Sequence, residues 1–368
     1  MKRPLHIAFF GSSLVSAYWN GAATYYRGII RALHARGHRV TFYEPDAYDR
    51  QAHRDLGDVP WAEVSVYRGD DEADALRCVE EARTADVLVK ASGVGVFDAL
   101  LEAAVPAARR PGALAVYWDV DAPATLERLR ADPADPLRSH VPKYDLVLTY
   151  GGGDPVVRGY TALGARRCVP VYNALDPETH YRVAPESQFA ADLGFLANRL
   201  PDREARAEEF FFAVARALPR RRFLLGGNGW QGRPMPENMS YVGHVYTAQH
   251  NAFNSTPRAV LNVARDSMAT TGFSPATRVF EAAGAGACLI TDAGEGIEHF
   301  LEPDREVLVA RDGAEVARHL DALTVERARA IGEAARRRIL AHHTYAERAR
   351  QVEALLQLEP SPLDAATP

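Results

Sequence analysis

Short apolar runs alternate with amphipathic helical stretches along this 368-residue chain, and no other feature restricts its fold so tightly. A strand that is apolar on both faces must be covered on both. Helices placed between successive strands do that covering, so the alternation predicts parallel sheets in an α/β fold. In the first half, residues 5–10, 39–43, 87–90, 114–117, 146–149 and 168–172 read as strands. Ala22, Tyr25, Tyr26, Ile29, Ile30 and Leu33 form one continuous apolar stripe at helical spacing, and Gly37 ends that helix where a C′ glycine is preferred. The second half starts the pattern again, with strands expected at 192–196, 222–225, 239–242, 259–263, 288–291 and 306–310 and helices at 205–218, 276–283, 314–322 and 325–342. Two such series predict two doubly wound domains, 1–172 and 173–345. The join falls in 170–186, where Asn173, Asp176, Pro177 and Pro185 interrupt regular structure. Residues 346–368 are expected to be a closing helix and a frayed tail.

Composition excludes several classes. The 43 basic residues against 48 acidic ones give a net charge of −5, too balanced for a dedicated nucleic-acid binder. Cys78, Cys168 and Cys288 lie far apart and have no metal-ligand spacing, which suits a reducing compartment. No apolar run reaches the roughly 18–20 residues of a membrane span, and no signal-peptide pattern precedes the first strand, so a cytoplasmic location is expected.

Open α/β sheets bind ligands beyond the C-terminal ends of their strands, so the residues just after strands are the ones to inspect. Gly11 and Ser12, followed by Trp19, Asn20 and Gly21 at the start of the first helix, suit a phosphate or sugar hydroxyl, or form an ordinary glycine turn. Neither G-x-G-x-x-G nor G-x-x-x-x-G-K-[ST] occurs, which disfavours a dinucleotide dehydrogenase and a P-loop nucleotidase. Asp119 and Asp121 follow a strand: they suit a divalent cation, a general base, or a plain turn before Pro123. Arg199 and Arg203 suit a diphosphate clamp, because guanidinium matches phosphate oxygens bidentately; a solvated helix start is the alternative. The densest constellation comprises Asn262, Arg265, Ser274, Arg278 and Glu281. Ser274 and Pro275 read as the N-cap and first residue of a helix that carries Arg278 and Glu281. A carboxylate there can take both hydroxyls of a ribose, or the two residues are an ordinary i, i+3 surface pair.

These residues, in this order, resemble the GT-B glycosyltransferases, and more narrowly the CgeB-like, glycosyltransferase family 1-like group, distantly related to glycosyltransferase family 4. The resemblance rests on the stretch from Trp19-Asn20-Gly21 to Val40, on Val171-Tyr172-Asn173 through Asp176-Pro177 to His180-Tyr181, on Ser274-Pro275 through Arg278 and Glu281 to Asp292, and on the closing segment from His343. It implies two Rossmann-like domains facing across a cleft, with the closing helix crossing back to the first domain. The donor would be a nucleotide-diphosphate sugar, and neither a metal nor any other cofactor would be needed. Glu281 would take the ribose, Arg199 and Arg203 the diphosphate, and Gly243, His244 and Val245 would flank the base. Asn20 and Gly21 would face the donor from the first domain. The acceptor, of unspecified class, would sit near Trp19, Ser92, Gly93 and Asp119–Pro123. One departure stands out: family 4 enzymes often carry a Glu-x7-Glu pair, and Phe273 occupies the first of those positions.

The expected activity is therefore metal-independent transfer of a sugar from a nucleotide-diphosphate donor to an acceptor hydroxyl, with Asp121 or Asp119 as base. The other readings are a nucleotide-sugar epimerase or hydrolase on the same scaffold, and a catalytically degenerate nucleotide- or sugar-binding protein, which Phe273 favours.

Overall fold

A computed structural model describes residues 3–18, 20–292 and 294–357. The chain forms two compact units: Asn173–Thr344 is one, and the residues before and after it make the other.

In the first unit, β1 (His6–Phe10), β2 (Arg39–Asp46), β3 (Glu63–Arg68), β4 (Val87–Ala91), β5 (Leu114–Asp119), β6 (Leu146–Thr149) and β7 (Cys168–Pro170) form one parallel sheet in the order β3-β2-β1-β4-β5-β6-β7. The inner strands are apolar on both faces because helices cover both. β3 is the one strand of this sheet not read from the sequence. It is an edge strand with five of its six side chains at least partly accessible, so it carries no apolar run. The apolar stripe forms the helix Ala23–Ala35, and Gly37 follows it at φ 93°, a conformation that favours glycine. Within that helix, Gly28 has a specific purpose. A Cβ there would lie 2.2 Å from the ring of Tyr345, at the start of the last described helix, Tyr345–Leu356. That helix also places Glu353 against Arg36 and, at 3.4 Å, against Nε2 of His38. The expected tail at 358–368 lies outside the described residues.

In the second unit, β8 (Leu193–Leu196), β9 (Phe223–Gly226), β10 (Met239–Tyr241), β11 (Ala259–Asn262), β12 (Leu289–Asp292) and β13 (Leu308–Ala310) form a second parallel sheet, in the order β10-β9-β8-β11-β12-β13. The helix after β8 starts at Pro201, earlier than the apolar pattern predicts, and contains a π turn over Glu208–Phe212. That turn lets three consecutive phenylalanines, Phe210, Phe211 and Phe212, all be buried. Both sheets are doubly wound. Their strand order reverses between β1 and β4 in the first unit and between β8 and β11 in the second, and such switch points open crevices for ligands.

Among the described residues, no helix is long and apolar enough to cross a membrane.

Candidate functional site

The crevice of the second unit is framed by the segment after β8, which leads into the helix carrying Arg203, and by the segment after β11, which carries Arg265. Next comes the helix Thr277–Gly284 with Arg278 and Glu281. Arg265 is neutralised by Asp202, its Nε donating to Oδ2 at 2.6 Å. Arg278 donates to Oδ1 of Asn254 at 3.3 Å and faces Glu281. Arg203 is different: its Nε is buried without a hydrogen-bond partner, and no hydrogen bond or salt bridge to its guanidinium occurs among the described residues. Burial holds its pKa below the ordinary arginine value. The charges of Asp202 and Asp292 oppose that shift, while Arg265 and Arg278 add to it. A half-buried guanidinium whose Nε lacks a partner, close to Arg278 and to the Arg265–Asp202 pair, is a candidate partner for an anion.

Further unpartnered buried atoms occur in the second unit: Nε of Arg206 and Oγ of Ser267 on these segments, Nδ2 of Asn254 on the helix Thr247–Ser255, and Nε2 of His180 before β8. Buried polar groups are nearly always paired in folded proteins, so a concentration of unpaired ones marks the place where a ligand completes the bonding.

Glu281 is buried, with 9% of its side chain accessible, which excludes a solvated surface pair. Its Oε1 lies 3.7 Å from Nε2 of His180. Burial would raise its pKa, but electrostatic interaction with His180 first, then with Arg278 and His250, outweighs this and holds it below the usual glutamate value. His250, on the helix Thr247–Ser255, is pushed down to about 4, first by burial and then by Arg278, so it is neutral at pH 7. One ligand-type atom from each of His180, His250 and Glu281 falls within a 4.8 Å cluster. Such a trio has the make-up of a metal site, yet Arg278 faces both Glu281 and His250, and its charge opposes a dication.

The other residues singled out on the donor side divide into two groups. Val245 joins the cluster: its carbonyl oxygen lies 3.2 Å from Nε2 of His250. Gly243 has φ 71° and accepts from the Gly227 amide at 2.7 Å, and Nδ1 of His244 lies 3.2 Å from Nδ2 of Asn228, so the segments after β9 and β10 meet here. Arg199, in contrast, does not pair with Arg203 as a clamp. It is paired with Glu204 and lines an open groove with Arg216 and Arg233. Asn262 donates to Oγ1 of Thr291 at 3.0 Å and ties β11 to β12. Ser274 is not the N-cap: the helix begins at Thr277 after Ala276, and Oγ of Ser274 turns back to the Gly272 carbonyl at 3.0 Å. Phe273 sits in the left-handed region at φ 49°, its ring 5.5 Å from His299. The position of the first family glutamate is therefore filled by a packed apolar ring.

The switch point of the first unit is built on polar groups that are already paired. Asn20 donates to the carbonyls of Ser13 and Ser16 at 2.9 and 3.1 Å and accepts from Oγ of Ser12 at 3.0 Å, which folds the segment after β1. Glu44, fully buried, accepts from Ser13, the Leu14 amide and Gln51. Arg50 reaches the Val94 carbonyl at 2.7 Å, tying the segment after β4 to this one. Asp119 is also fully buried and accepts from Ser92, Thr125, Tyr160 and the Asp121 amide. With its oxygens so occupied, Asp119 holds Ser92 and the start of the next helix in place. Asp121 is half-buried, at the N-cap position of the helix Ala122–Ala131. Gly11, Ser12, Ser92 and Gly93 line a small cavity that also includes Lys90, whose ammonium is buried and paired with Asp98 at 2.8 Å. Gly21 is exposed beside this switch point, with open space around its Cα. Trp19 lies outside the described residues. Glu44, Arg50, Lys90 and His250 carry no motif, and only their placement in the fold singles them out; His180 lies in the family-like stretch from Val171 to Tyr181, where the resemblance assigns it no role.

Residues 203–354 match a family model described as glycosyl transferase-like. No curated protein sequence matches the chain. Among solved structures, the chain is similar to HepE of Anabaena in complex with UDP and glucose, at 14% identity and TM-score 0.68, covering 96% of this chain and 100% of that one. It is similar to sucrose-phosphate synthase of Thermosynechococcus elongatus at 14% identity and TM-score 0.69, covering 99% and 100%. It is also similar to phage T4 BGT in complex with UDP-glucose at 12% identity and TM-score 0.60, covering 96% and 100%. The two parallel-sheet units are thus those of the GT-B fold.

Proposed function

From the match of residues 203–354 to a family model described as glycosyl transferase-like, we propose that this chain transfers a sugar from a nucleoside-diphosphate donor to an acceptor hydroxyl. The observation that carries the reading is Arg203: a guanidinium lodged at a switch point, without a protein partner, beside Arg265 and Arg278. Breaking the sugar–phosphate bond leaves negative charge on the departing diphosphate. Prepositioned cations in a poorly solvated site stabilise that charge where it develops, without a metal ion. Glu281, held ionised, accepts from the ribose. Uridine is the base to test first, because HepE and T4 BGT hold UDP or UDP-glucose. Asp121 is the better base for an acceptor hydroxyl, since the oxygens of Asp119 already accept four donors.

A second reading, nucleotide binding without transfer, draws support from Phe273. Melting temperatures measured with uridine, guanosine, adenosine and thymidine diphosphates, followed by release of diphosphate from the matching sugar nucleotide over an acceptor panel, separate the two. A stabilising nucleotide with acceptor-dependent turnover supports transfer. Stabilisation without turnover supports the binding protein. No stabilisation by any of the four overturns both.

A further inference from the structure

We propose that the segments after β1, β2 and β4 of the first unit hold an apolar platform for the acceptor, and that the acceptor is an uncharged alcohol or phenol with a flat ring body. This rests on the transferase reading above and names the acceptor class that reading leaves open.

Three large apolar side chains stand exposed at this end of the sheet: Tyr18 at 40%, Tyr48 at 51% and Val94 at 60%. They come from three different segments, yet one buried side chain gathers them. Arg50, 1% exposed, donates from Nη1 to the carbonyls of Val94 at 2.7 Å and Ser12 at 3.4 Å, and from Nε to the carbonyl of Tyr18 at 3.4 Å. Its Cζ lies 5.0 Å from the centre of the Tyr48 ring. The two rings are held as well. Tyr18 stacks on His53 with centroids 4.1 Å apart, and the Tyr48 hydroxyl donates to the Gly95 carbonyl at 3.1 Å. Tyr48 and Asp49 lie at φ 56° and 60°, a region that residues other than glycine seldom enter, so the contacts around this turn maintain a strained backbone. Burying an arginine is costly. Here Arg50 is a positioning residue: it fixes three exposed apolar groups before a ligand arrives, which reduces the entropy lost when one covers them.

The chemistry of these segments selects the occupant. Residues 11–22 and 92–97 contain no charged side chain, and the exposed charges at 46–49 are the carboxylates of Asp46 and Asp49. An anionic lipid surface or a phosphorylated acceptor would be repelled there. A saccharide hydroxyl covered by these segments would need a hydrogen-bond partner, and the carbonyls of Ser12, Tyr18, Val94 and Gly95 are already taken by Arg50 and Tyr48. Aromatic and methyl surface is what these three side chains offer, and a flat apolar ring covers it best.

The test is calorimetric titration of the full chain with 2-naphthol, methyl β-glucopyranoside and UDP, together with co-sedimentation on phosphatidylglycerol vesicles. The proteins are the wild type, Tyr48→Asn, Val94→Ser, Arg50→Gln and, as a control, Leu76→Ser. Asparagine tolerates the left-handed backbone of residue 48, and Leu76 is an exposed apolar residue on the helix Glu72–Ala82. Tyr48→Asn and Val94→Ser should each weaken 2-naphthol binding by roughly three- to tenfold and leave UDP affinity unchanged. Leu76→Ser should change neither. Arg50→Gln should lose more 2-naphthol affinity than either surface variant while retaining UDP; if it binds nothing because it does not fold, the two surface variants decide. A wild type that does not bind 2-naphthol, an affinity that is equal in all variants or falls as much in Leu76→Ser, tighter binding of the glucoside, or binding to the vesicles overturns the proposal and leaves the donor reading intact. A wild type that binds 2-naphthol as expected but not UDP overturns the donor reading instead.

Discussion

Replacing His250 with glutamine should change how stability depends on pH, and by an amount the structure sets. The imidazole pKa is pushed from 6.5 to about 4 by burial and by Arg278. Above pH 7 the ring is neutral in both folded and unfolded chains, and the shift has no effect. As the pH falls below 6.5, the unfolded chain binds a proton that the folded chain refuses, so stability is lost until the folded ring also titrates near 4. Two and a half pKa units correspond to about 3 kcal/mol in full, of which about 2 kcal/mol is lost between pH 7.5 and pH 5. His6, His38 and His140 are also depressed by burial, so the wild-type profile alone does not isolate one ring. The difference between wild type and His250→Gln does isolate it. Urea unfolding at pH 7.5 and pH 5 should show the variant less destabilising at the lower pH by about 2 kcal/mol. The depressed pKa of Glu281 acts below pH 4.5 and stays outside this window. An equal effect of the substitution at both pH values would refute the account of a buried, neutral His250 beside Arg278.

Other consequences follow from the same structure. Gly28→Ala drives a methyl into the Tyr345 ring and should cost about 1–3 kcal/mol in chemical denaturation. Burial raises the carboxyl of Glu102 to about 7, so its burial costs stability as the pH rises past 4.5. Glu102→Gln should therefore be more stable than wild type at pH 8, by up to about 3 kcal/mol, and not at pH 4. Asp119→Asn turns a donor toward groups that themselves donate, and should lower the melting temperature strongly, whereas Asp121→Asn should not.

The fold was largely legible because both sheets are parallel and covered on both faces. Their inner strands must be apolar throughout, and the helices between them must carry a stripe, as 23–35 does. β3 escaped notice because an edge strand with one buried side chain has no such signature. The π turn at Glu208–Phe212 escaped because three adjacent phenylalanines have no helical period. The site was legible only where its residues lie one turn apart on a single helix, as Arg278 and Glu281 do. His180 and His250 reach Glu281 from two other segments; nothing in the stretch around His180 ties it to Glu281, and the histidine at 250 carries no pattern. Arg199 and Arg203 look alike as neighbours in sequence, but one faces Glu204 at the surface and the other is half-buried, with an unpartnered Nε, near Arg265 and Arg278.

The central claim is that Arg203 waits for the diphosphate of an activated sugar. Calorimetric titration of UDP into the wild type, Arg203→Gln and Arg199→Gln tests it most directly. The account predicts binding that weakens at least roughly tenfold in Arg203→Gln, stays nearly unchanged in Arg199→Gln, and loses part of its salt dependence only in the former. Equal losses in the two variants, or undiminished affinity in Arg203→Gln, would contradict it.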